Sequence, residues 1–236
     1  MRKYKRILFV CLATLLIAGL SFPEDKDFTL IPNKSPNELR ILKLLVVADQ
    51  AYRKQIPDWQ DEITNFVNLA SDIFYKQAGI KLEIKGLRPW QRDSIRKSNY
   101  ANTNDLLNEL IEDFRTKVSD FEILLVLTSH DLDDYEAWYK KNIILIRNKK
   151  MLTTYDRYGD IKMTEYPVMS AKERDERYVS IILHEVGHFF GCDHCQDNTC
   201  AMTPESVYPE KFCEKCIQII KKWKWRELSN PQSERK

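Results

Sequence analysis

The sequence predicts an α/β protein with a twisted, mostly parallel sheet backed by helices. Strand-like and helix-like segments alternate along the chain, and this order places parallel strands side by side with helices on the faces of the sheet. Three strand-like segments are rich in branched apolar residues, as the buried strands of such a sheet are: 39–48, 121–128 and 142–147. The length of 236 residues is enough for a domain with a hydrophobic core.

The predicted elements follow one another in a regular order. They are a strand, a helix, a strand, a helix, two strands and a final helix: 39–48, 58–77, 80–87, 104–118, 121–128, 142–147 and 171–190. Gly79 is placed to end the first helix, because glycine accepts the left-handed backbone conformation. Ser170 precedes the last helix and Glu173 lies three residues later, the spacing of a capping box at a helix start.

The pattern H-E-x-x-H-x-x-G-x-x-H begins at His184 and indicates a metal site. His184 and His188 are four residues apart, so one helix face presents both imidazoles to one ion. Gly191 permits the chain to turn at the helix end, so that His194 supplies a third nitrogen. Glu185 lies beside the metal as a general base. Three protein ligands leave tetrahedral zinc one open position, which is typical of a catalytic site.

This motif predicts a zinc metallopeptidase in which Glu185 activates a zinc-bound water for hydrolysis of a peptide bond. Peptides or proteins are therefore the expected substrates. The alternative is a secreted zinc-binding module of the same fold that binds a partner without cleaving it. Glu185 argues against that alternative, because a binding module needs no base at this position.

The motif together with Met202, eight residues after His194, resembles the metzincin peptidases. The cysteines make the sequence similar to the archaemetzincins, whose signature runs H-C-x4-C-x-M and then C-x-x-C. The matching residues are His194, Cys195, Cys200, Met202, Cys213 and Cys216. The resemblance implies a metzincin-like sheet with the zinc helix below it and Met202 as an apolar floor beneath the zinc. It also implies that an edge strand binds extended peptides, and residues 135–139 are preferred for it over 142–147.

The resemblance further implies a second, structural zinc in a small zinc-stapled C-terminal part spanning residues 195–216. Its ligands would be Cys195, Cys200, Cys213 and Cys216, since four thiolates form a closed tetrahedral site. Two disulfides are the alternative, because oxidising compartments favour them. Cys192 is left over and is interpreted as a small apolar residue near the metal, or as a reactive thiol.

Residues 1–21 have a basic start, a short apolar run and small residues at the end, the composition of a secretory signal peptide. The apolar run is short for a membrane span, although a retained anchor is the alternative. We therefore expect a secreted or periplasmic protein whose residues 22–236 form a single peptidase domain, with no stable membrane span after processing.

The charge of the chain favours no nucleic-acid partner. The sequence has 37 basic and 35 acidic residues, and the segment 1–21 contains four of the basic ones and no acidic one. The processed chain is therefore close to neutral and lacks the basic excess of nucleic-acid-binding proteins. We expect a monomer.

A basic segment comes after the last cysteine. It contains the apolar residues Ile217, Ile220, Trp223 and Leu228 among the cations Lys221, Lys222, Lys224 and Arg226. We expect a helix that packs its apolar side on the domain while the lysine stems lie along the surface. A helix that contacts a membrane or an anionic partner is the alternative.

Overall fold

The structure, a computed structural model, describes most of the chain after residue 27. The described residues are 28–91, 103–114, 120–129, 137–140, 142–148, 151–155, 161–165, 170–204 and 208–228. The expected signal peptide at residues 1–21 lies outside them. No helix in these ranges combines the length and the apolar character that crossing a membrane requires.

Strands and helices follow one another through these residues. They are β1 (Phe28–Leu30), β2 (Arg40–Ala48), α1 (Gln50–Gln55), α2 (Trp59–Ala78), β3 (Ile80–Pro89), α3 (Thr103–Phe114), β4 (Ile123–Thr128), β5 (Ala137–Lys140), β6 (Ile143–Arg147), β7 (Met151–Tyr155), β8 (Ile161–Glu165), α4 (Ala171–Phe189), α5 (Glu214–Lys222) and β9 (Arg226–Leu228).

Five of the strands form one sheet in the order β3-β2-β4-β6-β5. The first four are parallel, and β5 runs antiparallel to β6. The prediction of a mostly parallel sheet is therefore confirmed. The preferred edge segment, 135–139, overlaps β5 at the end of the sheet, although residues 135 and 136 lie outside the described ranges. The other candidate, 142–147, corresponds to β6 and lies inside the sheet.

Alternation along β2 directs side chains to the two faces of the sheet. Leu42, Leu44 and Val46 face a core that they share with the apolar sides of α2 and α4. Leu45 and Val47 face the opposite side, where they pack on α3. The sheet thus has helices on both faces, and α4 lies on the same face as α2.

The ends of the two long helices agree with the predicted signals. Gly79 ends α2 with a φ of 65°, in the left-handed region. At the start of α4, Ser170 accepts from the backbone N–H of Glu173, and the Glu173 side chain accepts from the backbone N–H of Ser170. This confirms the capping box. The helix ends at Phe189, whereas the predicted end is residue 190. Gly191, two residues after Phe189, has a φ of 84°.

Several short strands are absent from the sequence prediction. β1 pairs antiparallel with β9, and β7 pairs antiparallel with β8. In β1 the side chains of Thr29 and Leu30 are exposed, so the strand lacks the alternating burial that marks longer strands. The partner of β1 lies almost two hundred residues away, and no local pattern reveals it.

The C-terminal helix corrects one expectation. Ile220 is buried, so α5 packs an apolar side on the domain as predicted. The sequence also predicts that the lysine stems of this segment lie along the surface. This is confirmed for Lys221 and Lys222, which are exposed, and is wrong for Lys224, which is only 1% exposed. Arg226 is likewise buried, at 6% exposed. The Nζ of Lys224 lies against Gly79, which follows α2, and the Nη1 of Arg226 lies against Gly191, which follows α4.

Candidate metal centres and active site

The three predicted histidine ligands converge at the C-terminal end of α4. The candidate donor atoms of His184, His188 and His194 all lie within 4.8 Å of one another. The two helical residues bring their Nε2 atoms to 3.1 Å. His184 and His188 are half-buried, whereas His194 is exposed on the loop after the helix. The i, i+4 spacing and the turn after the helix thus bring the ligands together.

Backbone carbonyl groups fix which ring nitrogens of the helical histidines are free. The Nδ1 of His184 donates to the carbonyl oxygen of Ala201 at 2.8 Å, and the Nδ1 of His188 donates to that of Cys192 at 2.7 Å. Each Nδ1 therefore carries the proton, and each Nε2 presents a lone pair. Two lone pairs this close repel each other unless a cation lies between them.

These distances fit a zinc ion. Zinc–nitrogen bonds of about 2.0–2.1 Å in a tetrahedron place two nitrogens roughly 3.3 Å apart. Metal-binding histidines typically donate their second N–H to a carbonyl or a carboxylate. His184 and His188 meet both conditions.

The histidine pKa values favour the metal-binding form. Burial and the neighbouring His188 lower the pKa of His184 to about 4. Burial likewise lowers the pKa of His188. Both rings are therefore neutral at neutral pH, and neutral imidazole is the form that binds a metal ion.

Glu185 is a buried carboxyl group beside these ligands. It is 6% exposed, and burial raises its pKa to about 8. Because one residue along a helix corresponds to a rotation of about 100°, its side chain leaves the helix beside the face of His184 and His188. A nearby divalent cation favours the ionised carboxylate and so opposes the effect of burial.

The turn after α4 links the histidines to one another. The backbone N–H of Gly191 donates to the carbonyl oxygen of His188 at 2.8 Å, and that of Cys192 donates to the carbonyl oxygen of Gly187 at 3.1 Å. The chain therefore folds back over the last helical turn. This places the carbonyl oxygen of Cys192 against His188 and directs the chain toward His194.

Met202 is fully buried against the helix turn that carries the ligands. A Cβ atom added at Gly187 would overlap its Sδ atom, so the methionine occupies the space that a side chain at residue 187 would need. Gly187 lies between His184 and His188 in the helix. This is the position that an apolar floor requires. The backbone carbonyl of Met202 accepts from the N–H of Cys195 at 2.8 Å.

The four predicted cysteine ligands also converge. The Sγ atoms of Cys195, Cys200, Cys213 and Cys216 lie within 4.8 Å of one another, and every described cysteine is free. The Sγ atoms of Cys195 and Cys213 are 3.8 Å apart. Zinc–sulfur bonds of about 2.3 Å in a tetrahedron give roughly 3.8 Å between sulfurs, whereas a disulfide bond is about 2.05 Å long. The geometry fits four thiolates on zinc better than two disulfides.

Cys192 stands apart from this group. It is 2% exposed, and its Sγ is 3.7 Å from the carbonyl oxygen of Cys216. Burial raises the pKa of its thiol to about 12. A protonated, buried thiol is a poor nucleophile, which favours the interpretation of Cys192 as a small packing residue.

Sequence reasoning missed the carbonyl oxygens that orient the histidines. Those of Ala201 and Cys192 belong to the backbone, which is the same for every residue type. Ala201 in turn donates its N–H to the carbonyl oxygen of Lys211 at 2.6 Å. The segment between the cysteines therefore supports the histidine site through contacts that no side-chain motif reveals.

Comparison with known proteins gives related sequences and a similar fold. The model of metallo-peptidase family M12 matches residues 38–221. Disintegrin and metalloproteinase domain-containing protein 15 of Rattus norvegicus is 24% identical over 184 residues, which cover 75% of this chain and 19% of that protein. Archaemetzincin of Methanopyrus kandleri is 36% identical over 53 residues, which cover 20% of this chain and 30% of that protein. These alignments thus span less than a third of either relative.

The fold is similar to that of a solved archaemetzincin. The crystal structure of archaemetzincin from Methanopyrus kandleri aligns with a TM-score of 0.55 and 19% identity, covering 82% of this chain and 98% of that one. This similarity extends over the sheet and helices and is not confined to the zinc motif. Together with the family match, it confirms the archaemetzincin-like resemblance.

Proposed function

Because the chain belongs to metallo-peptidase family M12, we propose that it is a zinc-dependent peptidase whose zinc is held by His184, His188 and His194. One observation carries the proposal. The Nε2 atoms of His184 and His188 lie 3.1 Å apart, and neither carries a proton, because each Nδ1 donates to a carbonyl oxygen. This pair needs a cation, and Glu185 lies one residue away.

Glu185 performs the proton transfers of the reaction. When bound, zinc supplies a Lewis acid that lowers the pKa of water and polarises the scissile carbonyl. The Glu185 carboxylate accepts a proton from the attacking water as the new C–O bond forms. The protonated carboxyl group then delivers that proton to the leaving amine as the C–N bond breaks, which regenerates the carboxylate. A positioned base of this kind contributes about 10²–10⁴ to the rate.

The substrate we propose is an extended peptide bound along β5. This strand lies at the end of the sheet and contacts α4. A peptide added to the edge of a sheet is held mainly by backbone hydrogen bonds, which present its peptide bonds in a regular array. Binding along β5 therefore brings a scissile bond past the helix that carries His184 and Glu185.

A second zinc held by Cys195, Cys200, Cys213 and Cys216 has a structural role in this proposal. The cluster fixes the ends of the segment that contains Ala201 and Met202. The carbonyl oxygen of Ala201 orients His184, and the side chain of Met202 packs on Gly187. The four-cysteine site thus supports the three-histidine site without contacting substrate.

The test is cleavage of a mixed peptide library by the purified protein. We expect new fragments with zinc bound, none after chelation, and recovery when zinc is restored. The matched control is Glu185→Gln, which leaves the histidines in place and removes the base. Fragments that form at the parent rate with this variant would show that the cleavage does not depend on Glu185. A zinc-loaded parent protein that cleaves nothing would instead favour a module that binds a partner.

We propose in addition that residues 1–21 direct export and are removed. The basic start and the short apolar run support this. The mass of the protein recovered from an extracytoplasmic fraction is the test. A mass that lacks about the first 21 residues is expected, and a full-length protein held in the membrane fraction would show that the segment is instead an anchor.

A further inference from the structure

Two buried cations lie at the ends of the two long helices. Lys224 and Arg226 are 1% and 6% exposed. The Nζ of Lys224 lies 2.9 Å from the point where a Cβ of Gly79 would be, and the Nη1 of Arg226 lies 2.8 Å from the corresponding point at Gly191. Each cation therefore occupies the space over a glycine with positive φ, Gly79 after α2 and Gly191 after α4.

The charge of each side chain suits its position. The C-terminal end of a helix has carbonyl groups without partners in the helix and carries a partial negative charge. A buried cation at this end interacts favourably with the carbonyl groups and with the partial negative charge. Lys224 also donates to the carbonyl oxygen of Pro36 at 3.0 Å.

Aromatic rings hold the guanidinium of Arg226 against the end of α4. Its central carbon lies 3.7 Å from the centre of the Phe28 ring. The Phe28 ring in turn meets the ring of Phe189, the last residue of α4, edge-on at 5.8 Å. The guanidinium is therefore packed between β1 and the turn at Gly191.

The backbone of Arg226 is anchored separately from its side chain. Its carbonyl oxygen accepts from the Nη2 of Arg40 at 3.0 Å, and its N–H donates to the carbonyl oxygen of Trp223 at 2.9 Å. Residue 226 also pairs with Leu30 in the β1–β9 ladder. Truncating the side chain therefore removes the guanidinium while these backbone contacts remain.

The two helix ends lead into different parts of the molecule. The turn after α2 leads directly into β3, and α2 carries none of the proposed ligands. The turn after α4 carries the carbonyl oxygen of Cys192, which accepts from the Nδ1 of His188 at 2.7 Å, and then leads to His194. A displacement at Gly191 is therefore transmitted to two of the three histidines.

We propose that Arg226 is a positioning residue for the three-histidine metal site. Its guanidinium holds the Gly191 turn, so that the carbonyl of Cys192 fixes the ring of His188 and the loop presents His194. Lys224 holds the Gly79 turn at the end of α2 in the same way. That turn does not lead to the histidines, so Lys224 does not position them. The inference rests on the proposed function for the identity of the metal site, but its test reads metal retention and needs no substrate.

The experiment monitors Co²⁺ in the full-length protein loaded at both sites. Thiolate-to-cobalt absorption reports the cysteine cluster, and the visible bands of nitrogen-bound cobalt report the histidine site. The variants are Arg226→Met, which keeps most of the volume without the charge, and Lys224→Met as the matched control. The rate of Co²⁺ transfer to a chelator is measured separately for each site.

We expect Arg226→Met to lose histidine-bound Co²⁺ about tenfold faster than the parent, the lower end of the effect of removing groups that orient metal ligands. Its thiolate absorption remains, which shows that the neighbouring cysteine cluster is intact, and its far-UV circular dichroism matches the parent. Lys224→Met lowers thermal stability but keeps the parent rate at the histidine site. If Arg226→Met does not fold, Arg226→Gln is judged by the same criteria.

Two results overturn the proposal. One is parent-like retention at the histidine site after the guanidinium is removed. The other is equal acceleration by Lys224→Met, which would make the effect a general consequence of removing a buried cation. Because no peptide is involved, a protein that binds Co²⁺ normally but cleaves nothing would refute the proposed peptidase activity and leave this inference intact.

Discussion

The three-histidine group and the four-cysteine group are adjacent, but they differ in donor type, in the elements that carry them and in burial. Two histidines lie on α4, and backbone carbonyl oxygens orient their rings. The cysteines lie on loops and at the start of α5, with Cys200 and Cys216 buried and the other two half-buried. Three donors beside a buried carboxyl group suit chemistry, whereas four thiolates suit a site that only holds the chain.

The two groups share one short segment. Cys195 comes directly after His194, and Ala201 and Met202 come directly after Cys200. The carbonyl oxygen of Ala201 orients His184. The four-cysteine group therefore lies directly beside the backbone that orients His184. Substitutions within and beside each group separate the two roles, and the largest effect is expected at the cysteines.

Replacing Cys213 and Cys216 together by Ser is expected to have the largest effect on the fold. The cluster loses two of its four ligands, so zinc content falls from two per chain to one or fewer. Losing a structural metal costs several kcal/mol, and for a chain of this size we expect Tm to fall by about 10 °C. Metal analysis and thermal unfolding provide the measurements.

The matched control for this pair is Cys192→Ser. Cys192 is buried near the cluster but lies outside it, and we expect this variant to keep two zinc ions per chain. A Cys213→Ser, Cys216→Ser protein that still holds two zinc ions would rule out the four-thiolate site.

Gly187→Ala tests the packing of Met202 beneath the histidines. The added methyl group overlaps the Sδ atom of Met202, which must move. Overpacking of this kind costs about 1–3 kcal/mol, and the better helix propensity of alanine offsets up to about 1 kcal/mol of it. Denaturant unfolding should therefore show a net loss of up to about 2 kcal/mol. A more stable variant would show that Met202 does not constrain this helix turn.

Ser170→Ala should have the smallest effect. It removes the capping box at the start of α4, far along the helix from the histidines. The expected cost is about 1 kcal/mol of the free energy of unfolding, because the backbone N–H of Glu173 loses its acceptor. Metal retention should match the parent in the same chelator assay. Faster metal loss would mean that metal retention at the histidine site depends on the stability of the whole of α4 and not only on its C-terminal end.

Sequence patterns predict the parts of this molecule that depend on local periodicity. The spacing of His184 and His188 predicts their shared face, and Gly79 and Gly191 predict the two helix ends. The pairing of β1 with β9 is different, because it joins residues near 30 to residues near 226. The burial of Lys224 and Arg226 depends on the same distant pairing, so composition alone suggests solvated cations. The carbonyl oxygens that orient the histidines carry no sequence signal at all.

The role of Glu185 as the base is tested most directly by comparing peptide cleavage by the parent and by Glu185→Gln at equal zinc content. We predict that both proteins hold two zinc ions and unfold alike, while kcat/KM in the variant falls by about 10³, within the range for loss of a general base. Cleavage at the parent rate by a fully zinc-loaded Glu185→Gln protein would contradict the assignment of the base and with it the proposed mechanism.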